Sequence, residues 1–300
     1  MPAVPLPPPA TLSGRVACAL RVALAFVTAL VTLLPLNLVQ LASLPVVPFS
    51  TAAFRRINRA LADLWWTWCV RWTELLYGTR VVVSGDDVPA DDNALLVSNH
   101  QTMADIPVIL AFADTRERVG DLKWFVKQSI KWVPGIGWGM QFLDCIFLRR
   151  DWSRDQASIE RTFARVVRGR VPLWLVSFVE GTRIRASAQA ANRRFAEERG
   201  LRPLEHVLIP RTKGFVATLD GLRGHLDAVY DVTIGYGEGR PTVRDWVAGR
   251  AGTVHVHVRR FAITELPADR EALAEWLHGR FVVKDGLLDR FYRERSFAGG

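Results

Sequence analysis

The chain has 300 residues, 49% of them apolar and eleven of them tryptophan, with 39 Lys and Arg against 30 Asp and Glu for a formal net charge of +9. That length buries a substantial core, as one large domain or a domain with an appendage, and the composition is that of a globular protein with a hydrophobic surplus. Cysteines 18, 69 and 145 are scattered and form no CxxC pair, which excludes a disulfide framework and a cysteine zinc site and suits a reducing compartment.

In chain order, residues 1–14 are rich in proline and small side chains and are predicted to be disordered. No charged residue occurs from 22 to 54, and Arg21 is the single charge within 16–34. That stretch is just long enough for the roughly 20 helical residues that cross a bilayer core. Pro35 and Asn37 are predicted to interrupt it, and Pro45 and Pro48 to end the apolar zone. The outcome is one crossing helix or a bent pair dipping into one leaflet. A cleaved leader would share the basic start, apolar middle and small residues near Ala42 and Ser43. The length of the apolar zone and the missing disulfide pattern argue against one. Arg55, Arg56 and Arg59 on one side outweigh Arg15 and Arg21 on the other, a bias that puts the main domain on the cytoplasmic side of a cell membrane.

Residues 52–77 read as a helix carrying Trp65, Trp66, Trp68, Trp72 and Tyr77 among Arg55, Arg56, Arg59 and Arg71. Such a mixture fits a lipid head-group layer or packing against the domain. After Gly78 short β-rich runs (80–84, 94–98, 123–126, 145–148, 173–178, 207–209, 228–236 and 253–263) alternate with helical stretches near 102–113, 153–168, 190–199, 213–223 and 268–290. This alternation predicts an α/β domain over 78–300, with a mixed, largely parallel sheet flanked by helices, behind a membrane-anchoring segment over 15–77.

Four segments at strand ends carry candidate chemistry. Asn99-His100-Gln101-Thr102-Met103-Ala104-Asp105 places a histidine and a carboxylate five positions apart after the apolar strand 94–98. A histidine takes a proton near neutral pH, and a carboxylate bound to its other nitrogen stabilises the imidazolium. Alone the spacing is weak, and Asp105 is equally a favourable first-turn charge. Phe178-Val179-Glu180-Gly181-Thr182-Arg183 offers a close backbone approach at glycine, a hydroxyl, and a guanidinium fork for a phosphate or carboxylate. Lys127 and Arg149-Arg150 follow two further strands, where they are either solvated ends or part of an anion site. Ile209-Pro210-Arg211-Thr212-Lys213 puts cations at a helix start, against the helix dipole, which an anionic ligand would explain. His255 and His257 alternate on one strand without a third ligand, so no metal site is expected. The basic residues are dispersed and no nucleic-acid module is present, which leaves phospholipid as the anionic partner.

In order and spacing these segments resemble the motif blocks of the glycerolipid acyltransferase family, the 1-acylglycerol-3-phosphate and related lysophospholipid acyltransferases. Asn99-His100…Asp105 matches the first block, Phe147-Leu148-Arg149-Arg150 the second, Phe178–Arg183 the third and Val207-Leu208-Ile209-Pro210 the fourth, across roughly residues 80–236. Trp124–Gln128, Trp132–Gly137 and Tyr230–Ile234 look closest to the lysocardiolipin and lysophosphatidylinositol acyltransferase branch and its bacterial relatives. Val179 departs from the usual proline. The resemblance implies His100 as general base, Asp105 as its orienting partner, and Glu180, Gly181, Thr182, Arg183, Arg149, Lys127 and Pro210 around the acceptor. It implies no cofactor, direct attack on an acyl-CoA or acyl carrier protein thioester, and oxyanion donors among the backbone N–H groups near the start of the helix after His100. A non-catalytic protein that binds anionic membrane, and a lipid or thioester hydrolase, are the other classes that these residues admit. No Gly-x-Ser-x-Gly motif supports the hydrolase.

Overall fold

A computed structural model describes residues 4–149 and 152–297, the side chains of 152–154 excepted. The chain opens with two long helices, α1 (Leu12–Ala42) and α2 (Thr51–Tyr77). There follow β1 (Arg80–Gly85), β2 (Ala94–Ser98), α3 (Asp105–Asp114), β3 (Leu122–Lys127), α4 (Ile136–Phe142), β4 (Ile146–Leu148), α5 (Trp152–Arg168) and β5 (Trp174–Ser177). The last part holds α6 (Ala186–Glu198), α7 (Thr212–Leu222), β6 (Ala228–Tyr236), α8 (Val243–Val247), β7 (Thr253–Ala262) and α9 (Arg270–Glu294).

The described strands form one seven-stranded sheet in the order β1-β7-β6-β2-β5-β3-β4. Every neighbouring pair is parallel except β6 with β7. The sheet is therefore mixed and mostly parallel, as expected. β2 is buried along its whole length, the mark of a central strand covered on both faces. Its alternate side chains feed two cores: Ala94 and Leu96 meet Phe112 and Ile109 of α3, while Leu95 and Val97 meet the side of α7 and α9. The carboxyl ends of β6, β2, β5, β3 and β4 share one edge, where open α/β sheets bind their ligands.

Three expectations are corrected here. Residues 207–209 join no strand. Ile209 N–H donates instead to Asn192 Oδ1 (2.8 Å), and Arg211 N–H to the Val179 carbonyl (2.8 Å), so the segment is tied to α6 and to the loop after β5. Pro35 and Asn37 do not interrupt α1, which is helical through both. One missing N–H does not end a helix that is held on either side of it: Trp65 Nε1–H donates to Thr32 Oγ1 (3.0 Å), and buried Asn37 and Gln40 bond each other (2.8 Å) against Gly139 of α4. Residues 4–10, expected to be disordered, run along the domain: Leu6 N–H donates to the Arg240 carbonyl and Arg240 N–H to the Val4 carbonyl, at 2.9 and 2.8 Å.

The segment Leu12–Val46 is long and apolar enough to cross a membrane by length and composition. Its outer face is bare: Phe26, Val31 and Leu38 are each about two-thirds exposed. The inner face meets the domain, with Arg21 donating to the Ala248 carbonyl and Leu33 against Gly135. The aromatic helix α2 is mainly a packing element. Trp65 is buried between α1 and α2, and Arg55, Arg59 and Arg71 pair with Asp144, Asp121 and Asp114 of the domain.

Candidate active site

β6 extends four residues past the end of β2, since Ser98 is opposite Val232 while β6 ends at Tyr236. The overhang would leave Ile234 without a ladder partner on that side. Asn99 supplies one with its side-chain amide, donating to the Ile234 carbonyl (3.0 Å) and accepting from its N–H (2.8 Å), and Gln101 adds a bond to the same carbonyl (2.7 Å). Both residues beside His100 are thereby fixed. The imidazole between them projects from the centre of the strand-end edge.

His100 Nδ1 lies 2.8 Å from Asp105 Oδ2. A carboxylate only accepts, so Nδ1 carries the hydrogen and the neutral ring keeps its lone pair on Nε2. The ring stacks on Phe178, 4.0 Å between centroids and 16° between planes, and is 13% exposed. Asp105 is completely buried. It accepts from the backbone N–H groups of Gln101 (2.7 Å) and Thr102 (3.0 Å) and from the phenol of Tyr236 (2.6 Å). Four donors on one carboxylate offset the cost of taking its charge out of water. Burial beside Asp105 also drives the Tyr236 hydroxyl well above the usual phenol range, so it remains a donor. This arrangement explains why α3 begins at Asp105 rather than near 102: the preceding amides serve the carboxylate. The N–H groups of Gln101 and Thr102 are thus committed to Asp105, ahead of the start of α3.

The loop after β5 is clasped to the same histidine. His100 N–H donates to Glu180 Oε1 (3.2 Å), and Ile184 N–H donates to the His100 carbonyl (3.0 Å). Glu180, expected to hold an acceptor, is instead 2% exposed and turned to the His100 backbone. Its carboxyl is raised well above the usual range by burial, eased by the His100 N–H and by the charge of Lys284. Lys284 reaches under β6 from α9, fully buried. It pairs with Asp231 (2.6 Å) and bonds the Val232 carbonyl (2.5 Å), and burial lowers its own pKa. Gly181 has φ +71° and lies under the Arg211 side chain; a Cβ there would stand 2.7 Å from Arg211 Nε. Thr182 is exposed and Arg183 half-buried at the same turn, and buried Pro210 leads into Arg211.

The cationic residues spread along the edge. Lys127 ends β3 and Arg149 follows β4, whose Leu148 is paired with Lys127. Both are exposed. At about 4.8 Å per strand they stand roughly 10 and 14 Å along the edge from β2, outside the immediate surroundings of His100. Arg150 lies outside the described residues. Among the described residues no three His, Cys, Asp or Glu side chains gather as a metal-binding group, and His257 Nδ1 lies 3.2 Å from Ser84 Oγ. The sequence reading missed Tyr236 and Lys284. Tyr236 is the terminal residue of an expected strand and Lys284 one of many cations on a charged helix, so only the crossing of β6 with β2 and α9 reveals them. Arg211 was visible as a cation at a helix start, but not its place over Gly181.

A family model described as acyltransferase matches residues 80–237, and one described as acyltransferase C-terminus matches 245–300. The probable 1-acyl-sn-glycerol-3-phosphate acyltransferase 5 of Arabidopsis thaliana is 35% identical over 82% of this chain and 66% of its own length. The 1-acyl-sn-glycerol-3-phosphate acyltransferase 2 of Brassica napus is 33% identical over 89% and 70%. Lysocardiolipin acyltransferase 1 of Danio rerio is 35% identical over 83% and 65%. The chain thus spans about two thirds of the length of these curated relatives. The crystal structure of the 1-acyl-sn-glycerophosphate acyltransferase PlsC from Thermotoga maritima has the same fold, with a TM-score of 0.59 at 18% identity over 94% of this chain and 99% of that one.

Proposed function

Because the chain belongs to the glycerolipid acyltransferase family, we propose that it moves a fatty acyl group from an acyl thioester to the free hydroxyl of 1-acylglycerol-3-phosphate or a related lysophospholipid. The observation that carries this reading is the His100–Asp105 pair, with Nδ1 committed to the carboxylate and Nε2 left to take a proton at a cationic sheet edge. In the proposed reaction Nε2 removes the acceptor's hydroxyl proton as that oxygen attacks the thioester carbonyl. The tetrahedral intermediate then expels the thiolate, which recovers the proton from the imidazolium. Asp105 stays ionised and holds the charged ring, a role its four donors support. No acyl-enzyme forms.

Arg183 and Arg211, on either side of Gly181, suit the acceptor's phosphate, with Thr182 beside them; Lys127 and Arg149 suit charges farther along an extended substrate. Glu180 serves as a positioning residue for His100. The donor is acyl-CoA or acyl carrier protein, with no further cofactor. The bare face of α1 lies in one leaflet as part of the α1–α2 pair. This reading is favoured over a single crossing because the opposite face of α1 is engaged by α2 and the domain at Arg21, Thr32 and Leu33. The domain stands on the cytoplasmic side of the cell membrane.

The test is an acceptor panel with acyl-CoA in detergent. Acylation of lysophosphatidate or another lysophospholipid, with thiol release that depends on the acceptor, is the expected result. Fatty acid released without an acceptor would identify a hydrolase. Vesicle binding with no transfer to any acceptor would identify a non-catalytic membrane protein.

A further inference from the structure

Residues 128–138, the β3–α4 loop and the first residues of α4, put four large apolar side chains into water within seven positions: Trp132 is 74% exposed, Val133 42%, Ile136 41% and Trp138 41%. Scattered surface apolar residues need no explanation, but a tryptophan three-quarters exposed in a tightly built turn does. The turn is built to hold its shape. Gln128–Trp132 is a short 3-10 helix, Val133 N–H donates to the Ile130 carbonyl (2.9 Å) and Gly137 N–H to the Val133 carbonyl (3.0 Å). At Gly137 a Cβ would stand 1.9 Å from the Ile130 oxygen, so the chain folds back more closely than any other residue allows.

Two more observations define the partner. The loop is continuous with the bare helix, because Gly135 abuts Leu33 of α1 and Ile136 shares a small cleft with Leu33 and Leu36. From 122 to 143 there is also no acidic residue, while Lys127 is exposed and Lys131 holds its Nζ 5.9 Å from the Trp132 ring. Amphipathic rings beside lysines, with no carboxylate to repel phosphate, match the head-group layer of an anionic bilayer.

We propose that the β3–α4 loop with the start of α4 is a second membrane contact, seating Trp132, Val133, Ile136 and Trp138 among anionic lipid head groups beside α1. This rests on the membrane reading above and adds a fixed orientation. The loop starts directly after Lys127, on the strand-end edge that carries His100, so a contact made by both the loop and α1 turns that edge toward the lipid surface.

The test uses the full chain with vesicles of phosphatidylcholine and phosphatidylglycerol carrying lipids brominated near the head group. Wild-type tryptophan emission is quenched, and a Trp132→Phe/Trp138→Phe protein, still bound through α1, loses a measurable share of that quenching. A Trp132→Ser/Trp138→Ser protein binds vesicles roughly tenfold more weakly and keeps its turnover of a short-chain lysophospholipid below its aggregation concentration. Equal quenching in the wild type and the phenylalanine variant overturns the proposal. Loss of transfer from acyl carrier protein with vesicle binding intact also overturns it, by assigning the face to an acidic protein. Absence of quenching in the wild type would sink the membrane reading itself, a separate failure.

Discussion

Asp105 is fully buried and accepts four hydrogen bonds, from His100, Gln101, Thr102 and Tyr236. On α1, by contrast, Leu24, Val27 and Val31 stand 53, 55 and 64% exposed. At the strand-end site the buried Asp105 charge thus finds its donors within the protein, and the imidazole is fixed by its neighbours. The outer face of α1 is different. Its apolar area stands bare, the face that the proposed membrane attachment would cover, and the polar groups of the same helix, Thr32, Asn37 and Gln40, turn inward to α2 and α4. Chemistry and attachment are therefore separable in principle, and substitutions should divide along that line.

The largest effect is expected at Asp105. Asp105→Asn offers an amide where His100 needs an acceptor and disfavours the tautomer that leaves Nε2 free. Steady-state assays should record a fall of about 10³- to 10⁴-fold in kcat, with vesicle flotation unchanged. A next, complementary effect belongs to α1. Leu24→Asp, Val27→Asp and Val31→Asp together should weaken flotation by roughly 100-fold or more while sparing turnover of a monomeric short-chain acceptor. Equal losses in both assays would show that the two regions are not independent.

Tyr236→Phe tests a residue that connects the site to β6. Losing one bond to a charged group should lower kcat about tenfold with little change in KM. A purely structural role for Tyr236 would lower kcat only together with the Tm. The smallest effect concerns Glu180. Burial raises its folded pKa, so the folded state holds the proton more tightly than the unfolded chain does. Its titration therefore favours folding below the ordinary glutamate range, and this contribution is lost as pH rises through the folded value. Glutamine does not titrate. The Tm of Glu180→Gln relative to wild type should rise by a few degrees between pH 5 and pH 8, measured by thermal unfolding in detergent.

Much of this frame was legible in the chain. The buried strand 94–98 and the His100–Asp105 spacing carry their own periodicity and chemistry, and both stand where the sequence places them. The short helices α4 and α8 carried no such signal, with seven and five residues and, in α4, two glycines. The segment 207–209 has strand composition, yet its backbone is bonded by Asn192 and by the loop after β5. Pro35 marked a break that tertiary contacts on α1 override. Glu180 has the charge of a ligand-binding residue, and only its burial against the His100 backbone shows the different work it does. In each case the deciding partner is distant in the chain.

The most direct test of the central claim is single-turnover acyl transfer from acyl-CoA to 1-acylglycerol-3-phosphate by His100→Ala, with binding of both substrates measured separately. The account predicts substrate binding close to wild type and a transfer rate lower by about 100- to 10,000-fold. A variant that binds both substrates and transfers at the wild-type rate would contradict it.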